Sequence, residues 1–420
     1  MAQQAEAASM LLYAELLPNI RQISVGCLLP SPSLPQTQIA VSPDGTKLTV
    51  QHDGGTTSLQ LPGRAQPGLK PPVREGQTCI TFRLPVPALD GTTGGFVRPT
   101  SESQAVPWSA TEIAPRSAVA CRKCESVLVQ EGTLSTWKDL PSENWAEMME
   151  FWHCHKPHDH KKDGEDHGHD HLASTRGYGA SARIAAQPGL GFVDLTSLLI
   201  ATTDVLPNTL VEPLGETEPD EQELESENTP VSNTQTLATC RLCQSRLGVI
   251  TRETNSVSFF KWQVIITTAA AAHSARLDKA KVPTLSHCVS AMLLATLGRT
   301  GCSKSILMPI KTSPSTTTSH KLLHVWLFNG NIKFSSSVAG ETGSVSGGPQ
   351  AAVKVLFKLV SEAEADKLLH ALTSDTQDIS LPADAIETTS ELLQESNGYL
   401  PPSERTFKEW SVGLVSRWEE

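Results

Sequence analysis

Two cysteine pairs of identical spacing carry the clearest chemical pattern in this chain of 420 residues. The first is Cys121-Arg-Lys-Cys124 and the second is Cys240-Arg-Leu-Cys243, and a short apolar stretch follows each. Four thiolates from two such turns form the ligand set that tetrahedral zinc requires. A redox motif would need only one pair beside a βαβ pattern, and unrelated surface turns with free thiols would not explain the shared Cys-Arg-x-Cys. The pattern therefore predicts a Zn²⁺ site.

More than a hundred residues separate the two pairs. The metal would therefore join two hairpins that are distant in sequence, rather than hold a compact local finger. Closing so long a loop stabilises a fold by several kcal/mol, by the logic of a long-loop disulfide. We therefore predict a closed, structural site, since a catalytic zinc would keep one position open.

A further cysteine ends an aromatic segment that starts near Leu140. Its large side chains follow the helical spacing i, i+3, i+4, i+7, and they are Trp145, Met148, Met149 and Trp152. Cys154 stands between His153 and His155, and neighbouring imidazolium groups lower the pKa of a thiol. Three roles stay open for Cys154: a fifth candidate ligand for the structural zinc, a nucleophile, or a ligand for the metal of a partner. The aromatic stripe either docks on its own domain or binds a partner through Trp145 and Trp152.

Two segments have almost no apolar residues. One, at about 156–180, is rich in His, Asp, Lys and Gly, and seven of the 13 histidines lie between His153 and His171. Such a tract either binds divalent metal or is a solvated loop. The other, at about 212–236, is acidic. Neither can offset the entropy of ordering by burying apolar surface, so we expect both to be disordered and deletable.

The pattern of apolar residues and turn signals in the rest of the sequence predicts an α+β fold with mostly antiparallel sheet. Residues 1–115 read as an N-terminal β-rich domain, with turns at Pro43-Asp-Gly45 and Asp53-Gly-Gly55. Residues 116–255 form the zinc-binding region with its two insertions, and residues 256–420 form a C-terminal α+β domain. The sequence predicts four local elements: a short helix over 8–17, one buried strand over 191–200, and helices over 284–297 and 383–395.

The composition argues against nucleic-acid-binding, membrane-spanning and secreted proteins. The net charge of −11 argues against direct nucleic-acid binding, which needs a basic patch. No segment approaches the roughly 18 to 20 apolar residues of a membrane span, and the first residues lack the basic start of a signal peptide. Nine cysteines, four of them in Cys-x-x-Cys pairs, are few for a secreted scaffold and favour a reducing compartment, so we expect a cytoplasmic and nuclear protein.

The motifs together resemble those of the HECT-like ubiquitin ligase family of ubiquitin-conjugating-enzyme-binding proteins. The matching elements are Cys121-x-x-Cys124, Leu140-Pro-Ser-x-Asn-Trp145, Trp152-x-Cys154-His155, Cys240-x-x-Cys243 with Leu247-Gly248, Val353-Lys-Val-Leu-Phe357 and Leu400-Pro-Pro-Ser403. The resemblance covers most of the chain from about residue 121. The His/Asp tract and the acidic segment depart from it, as long insertions would.

The resemblance implies two competing functions. In the first, the protein binds a ubiquitin-conjugating enzyme, accepts ubiquitin on a cysteine and passes it to substrates; Cys154 is then the best nucleophile, because Cys288 and Cys302 lie in or beside an apolar helix and read as buried. In the second, the protein is a non-catalytic binder or chaperone in pre-mRNA 3′-end processing. Its Trp152-x-Cys154-His155 segment then enters the metal site of the cleavage endonuclease. No acidic or Asn partner for a catalytic cysteine is visible in the sequence, which favours the second function, whereas the description of the family favours the first.

Overall fold

A computed structural model describes residues 10–87, 106–140, 185–211, 235–267, 282–310, 321–338, 348–371 and 374–419. The chain divides into two compact units. The first comprises Met1–Pro107, Thr284–Ile310 and Thr316–Glu420, and the second comprises Trp108–Pro283 and Lys311–Ser315.

The described residues form 22 strands and three α-helices. The first eleven strands are β1 (Leu11–Leu17), β2 (Gln22–Leu28), β3 (Gln38–Val41), β4 (Lys47–His52), β5 (Gly55–Gln60), β6 (Cys79–Pro85), β7 (Ala118–Cys121), β8 (Val127–Val129), β9 (Thr136–Asp139), β10 (Leu190–Val193) and β11 (Ser197–Ala201). The others are β12 (Leu210–Val211), β13 (Gln235–Cys240), β14 (Arg246–Thr251), β15 (Ser256–Phe260), β16 (Val264–Thr267), β17 (Lys304–Pro309), β18 (Leu322–Ser336), β19 (Gln350–Val360), β20 (Thr376–Leu381), β21 (Thr406–Phe407) and β22 (Trp410–Ser416). The helices are α1 (Leu285–Thr300), α2 (Glu362–Leu369) and α3 (Ala383–Asn397).

The first unit is built on a nine-stranded sheet. Its order is β21-β22-β19-β18-β1-β2-β6, and β17 and β20 extend it beside β18. A smaller sheet, β3-β4-β5, shares an apolar core with β1, β2 and β6. Two strand pairs of the described residues are parallel, β17 with β20 and β9 with β10, and the named pairs otherwise run antiparallel. The prediction of mostly antiparallel sheet is confirmed.

The first described element is a strand, so the helix expected over 8–17 is wrong. Strand β1 pairs with β2 on one side and with β18 on the other, and its residues from Leu11 to Glu15 are buried. A strand that pairs at both edges and is buried on both faces has a continuous run of apolar residues in its sequence. Hydrophobic periodicity alone does not distinguish such a run from a buried helix. Tertiary pairing therefore decided the conformation of this segment.

The N-terminal and C-terminal parts of the chain share one sheet, which differs from the sequence-based division at 115 and 255. Strand β1 lies beside β18 with Tyr13 opposite Ser336. Strand β16, by contrast, pairs with β7 in the second unit, with Val264 opposite Cys121. Local composition does not reveal which distant strands pair, because pairing depends on which faces become buried.

The helices of the first unit begin and end where their flanking residues predict. Thr284 caps α1 with its side chain, which accepts from the amide of His287, and Gly301 ends it in the left-handed region. Helix α3 follows Pro382 and packs on β22, where a Cβ on Gly413 would crowd Leu393. Both sequence-based helix predictions are confirmed. None of the helices in the described ranges is long and apolar enough to cross a membrane.

A buried ion pair joins strands β1 and β19 of the first unit. Lys354 Nζ lies 2.7 Å from a carboxylate oxygen of Glu15, and these side chains are 14% and 6% exposed. The Tyr13 hydroxyl donates to the same carboxylate at 2.8 Å, and burial raises the pKa of Tyr13 well above its usual value. Glu404, in the short turn after Leu400-Pro401, lies 4.0 Å from Lys354, and burial raises its pKa. The cluster is thus a buried charged contact within the nine-stranded sheet.

A buried histidine makes the stability of the first unit depend on pH. His324 on β18 is 2% exposed, and its ring meets that of Trp410 edge-on at 4.8 Å. Burial, followed by the charges of Lys358 and Lys304, lowers the pKa of His324 to about 4, while the charge of Asp375 opposes the shift. Between that value and the unfolded pKa of about 6.5, the unfolded chain binds a proton that the folded chain does not. Acid therefore destabilises the fold in this window.

We expect His324→Phe to remove this pH dependence. In the wild type, the contribution of His324 to the free energy of unfolding should fall by about 1 to 2 kcal/mol between pH 7 and pH 5, because protonation favours the unfolded chain. Urea unfolding of both proteins at the two pH values measures it, and the wild type should lose more stability than the variant. Equal losses in both proteins would contradict the assignment. His370→Phe, at an exposed histidine, is the matched control.

The second unit contains two antiparallel-rich sheets. The larger has the order β12-β13-β14-β15-β11-β10-β9, and the smaller has the order β16-β7-β8. Residues 191–200 are not one strand as expected, because β10 and β11 form a hairpin with Phe192 opposite Leu199. Asp194 and Ser197 close its turn, where the Asp194 amide donates to the Ser197 carbonyl. In the sequence, the signal for this short turn is Asp194-Leu-Thr-Ser197.

Candidate metal centre

The first cysteine pair lies on the turn between β7 and β8. Strand β7 ends at Cys121, whose amide donates to the carbonyl of Ser126 at 2.9 Å. The amide of Glu125 donates back to the Cys121 carbonyl at 2.8 Å, and Glu125 has a positive φ of 59°. These bonds fold the turn tightly, so that the side chains of Cys121 and Cys124 lie on the same side.

The second pair repeats this turn between β13 and β14. The amide of Cys240 donates to the carbonyl of Ser245 at 2.8 Å, and the amide of Gln244 donates to the Cys240 carbonyl at 2.9 Å. Gln244 has a positive φ of 60°. The conformation thus follows the spacing, and both turns read Cys-Arg-x-Cys-x-Ser.

The four sulfur atoms of the two turns lie together. All are within 4.8 Å of one another. Two of the separations cross between turns: 3.6 Å from Cys121 to Cys243 and 3.6 Å from Cys124 to Cys240. Sulfurs at about 2.3 Å from one ion in a tetrahedron are about 3.8 Å apart, whereas a disulfide needs about 2.05 Å. The cluster therefore could hold a single metal ion, and four thiol ligands would complete its coordination.

Contacts outside the turns fix each one in place. The Arg122 amide donates to the Gln263 carbonyl at 2.9 Å, and its guanidinium donates to the carbonyls of Trp262 and Pro283 at 3.3 and 2.7 Å. In the other turn, the Arg241 amide donates to the Thr209 carbonyl at 2.9 Å. The ligand set is held by the surrounding sheets, which reduces the ordering cost of binding an ion.

The four thiols have different surroundings. Cys121 and Cys240 are fully buried, and Cys124 and Cys243 are half-buried. Burial raises the pKa of Cys121 to about 12. The Ser245 hydroxyl is hydrogen-bonded to Cys243 Sγ at 3.3 Å and lowers the pKa of Cys243 to about 6. Four thiolates this close repel one another, and a divalent cation relieves that repulsion.

Sequence reasoning missed Ser245. The serine recurs at the same place in both turns, as Ser126 and Ser245, and this repetition was the available signal. Its carbonyl closes each turn, and in the second turn its hydroxyl also contacts a ligand sulfur. The buried carbonyl contacts of Arg122 had no comparable signal, because their acceptors are about 140 and 161 residues away.

The other predicted site residues lie outside the described residues. Trp145, Trp152, Cys154 and His155 all fall within 141–184, and so does the predicted loop 156–180. Most of the second predicted loop, 212–236, is also outside, although its last two residues, Gln235 and Thr236, belong to β13. Cys288 is buried in α1 as expected, whereas Cys302 is only half-buried.

Comparison with known proteins finds one family whose model matches nearly the whole chain. The family described as HECT-like ubiquitin-conjugating enzyme (E2)-binding matches residues 15–412. An uncharacterized protein of Schizosaccharomyces pombe is 42% identical over 59 residues, which are 13% of this chain and 17% of that protein. An uncharacterized protein of Saccharomyces cerevisiae is 35% identical over 52 residues, 12% of this chain and 15% of that protein. The chain thus matches less than a fifth of either relative's length.

No solved structure matches the chain. The family match nevertheless extends from β1 to β22 and includes both cysteine turns. The resemblance that the motifs indicated is therefore confirmed, and the chain belongs to the HECT-like ubiquitin-conjugating-enzyme-binding family.

Proposed function

We propose that this protein binds ubiquitin-conjugating enzymes and promotes ubiquitin transfer, with a zinc ion as a structural clip. The observation that carries the proposal is the family match over residues 15–412. Tetrahedral thiolate sites are typical of zinc or iron–sulfur centres, and the two Cys-x-x-Cys turns favour zinc. A set of four protein ligands leaves no open position, so the metal would support the fold and not activate a substrate.

Ubiquitin transfer of this kind needs a cysteine nucleophile outside the metal centre. Among the described residues, Cys27 is buried, with its pKa raised by burial to about 12, and Cys288 is also buried. Cys79 and Cys302 are half-buried and contact Ser403 and Gln377. Cys288 directly follows His287 in the sequence, but its side chain is buried. This supports Cys154, between two histidines, as the acceptor.

The transfer step can be written for Cys154. Its thiolate attacks the carbonyl carbon of the ubiquitin thioester carried by the conjugating enzyme. The bond from that carbon to the enzyme's sulfur breaks, the enzyme's cysteine leaves as a thiolate, and a new thioester forms on Cys154. A substrate amine would then attack this thioester and form an amide bond to ubiquitin, and the departing Cys154 sulfur would take up the proton that the amine loses.

A thioester trap tests the proposal. The full chain is incubated with each member of a panel of ubiquitin-charged conjugating enzymes, and adducts are separated without reductant. We expect an adduct that a thiol reductant cleaves, that Cys154→Ala abolishes, and that Cys302→Ala keeps. Pull-downs with the same panel measure binding separately. Failure of every enzyme to bind would contradict the binding proposal itself.

Binding without any adduct would instead favour the second candidate function, a non-catalytic binder. The aromatic stripe that ends in Cys154-His155 supports this role, in which Trp145 and Trp152 anchor the segment and Cys154 enters the metal site of the pre-mRNA 3′-end cleavage endonuclease. In that case Trp152→Ala should weaken capture of the endonuclease by roughly 2 kcal/mol or more, as for a hot spot. Both functions agree with a protein present in cytoplasm and nucleus, which cell fractionation would test.

A further inference from the structure

A groove in the first unit lies beside α3. Its volume is about 250 Å³, and its apolar lining includes Pro309, Leu322, Leu359 and Ile386. Leu359 is 45% exposed, and few large apolar side chains of the described residues are as exposed. The two glutamates of α3 that line the groove, Glu387 and Glu391, are also exposed. The groove thus has apolar walls and an acidic edge.

The size of the groove indicates what it can hold. A cavity of about 150 Å³ accommodates a benzene ring, whereas pockets for drug-sized ligands and cofactors have about 300–1,000 Å³. A groove of about 250 Å³ therefore suits one large side chain, or two smaller ones, rather than a cofactor. Insertion of such a side chain would cover the exposed part of Leu359.

The charge of α3 indicates which residues would flank the inserted side chain in its own segment. The helix carries Asp384, Glu387, Glu391 and Glu395 and has no lysine or arginine. Glu387 and Glu391 are one turn apart, and like charges at this spacing destabilise a helix. Neither forms an ion pair with a described residue. Their position past the first turn also removes any gain from the helix dipole.

We propose that this groove binds a segment of a partner protein that inserts one large apolar side chain and places lysine or arginine beside Glu387 and Glu391. The net charge of −11 would also speed the association of such a basic segment. Lys321 is the basic residue among those that line the groove. The groove lies in the first unit and the metal centre in the second, so this site goes beyond the proposed ubiquitin function and does not depend on it.

A labelled peptide tests the proposal with the full chain. The probe is a fluorescein-labelled ten-residue peptide with a central leucine–tryptophan pair, two lysines on each side, and glycine and serine elsewhere. We expect saturable binding by fluorescence anisotropy. Glu387→Lys with Glu391→Lys should weaken it roughly tenfold or more, and Leu359→Ser about fivefold, because they remove the charge and the apolar wall. A peptide with glutamates in place of lysines should not bind.

The controls separate this site from general charge attraction. Glu75→Lys with Glu409→Lys makes the same charge change at exposed residues elsewhere in the first unit, and should leave the affinity within about twofold. An equal loss in this control, or no saturable binding of the probe, would overturn the proposal. Binding that rises when 311–320 is replaced by glycine and serine would show that the chain's own segment fills the groove. If the protein dimerises and the Glu387→Lys, Glu391→Lys pair abolishes the dimer, a second copy of the chain occupies the groove. Occupation by the chain's own segment or by a second copy would each overturn the partner proposal.

Discussion

Replacing Cys243 with serine is expected to remove a stoichiometric zinc ion and to destabilise the second unit strongly. The centre joins residues 122 positions apart. A cross-link that closes a loop of this length is worth about 5 kcal/mol in unfolded-chain entropy. A three-ligand site would retain little of the binding free energy that a complete thiolate set provides. We therefore expect a loss of several kcal/mol and a fall in the melting temperature of about 10 °C or more.

The measurement must separate the thiol centre from the histidine tract. Seven histidines lie between His153 and His171, and they could bind added metal. Cobalt substitution resolves the two, because tetrahedral thiolate ligation gives a sulfur-to-cobalt charge-transfer band that imidazole ligation lacks. Wild type and a 156–180 deletion should both show the band, and Cys243→Ser should not. Cys302→Ser, at a half-buried thiol outside the centre, is the control and should keep metal and stability. A Cys243→Ser protein with unchanged zinc content and melting temperature would refute the assignment.

Replacing Lys354 with alanine is expected to destabilise the first unit by about 3 kcal/mol. The change leaves the Glu15 carboxylate buried without its cation, and removing one member of a buried pair typically costs about 3–5 kcal/mol. The Tyr13 hydrogen bond offsets only part of this cost. Urea unfolding at pH 7, with the slope checked for constancy, measures the change.

Two variants make the comparison decisive. Lys333→Ala breaks an ion pair of 3.0 Å with Glu419, but those side chains are 44% and 41% exposed, so the loss should be under about 1 kcal/mol. The double change Glu15→Met with Lys354→Met removes both charges and should recover most of the stability, since a buried pair and an apolar pair are close in free energy. If Lys354→Ala cost no more than Lys333→Ala, the buried pair would have no special role in this sheet.

Interactions within a few residues were readable from the sequence. The turn at Asp53-Gly54 follows from residues that tolerate positive φ, and both have it. Thr284 and Gly301 bound α1 because a side-chain oxygen and a residue without Cβ satisfy the free backbone groups at helix ends. The equal spacing of the cysteine pairs also predicted two turns of one kind, since the hydrogen bonds that close each turn lie within six residues.

Interactions between distant residues were decided by the tertiary structure. Leu11–Leu17 became a strand because β2 and β18 supply hydrogen bonds at both edges, and β18 begins more than three hundred residues later. The contact of Lys354 with Glu15 and the groove beside α3 likewise depend on which strands become neighbours. Which strands pair depends on two free energies, the gain from burying whole sheet faces and the cost of closing long loops. Neither can be read from a short stretch of sequence.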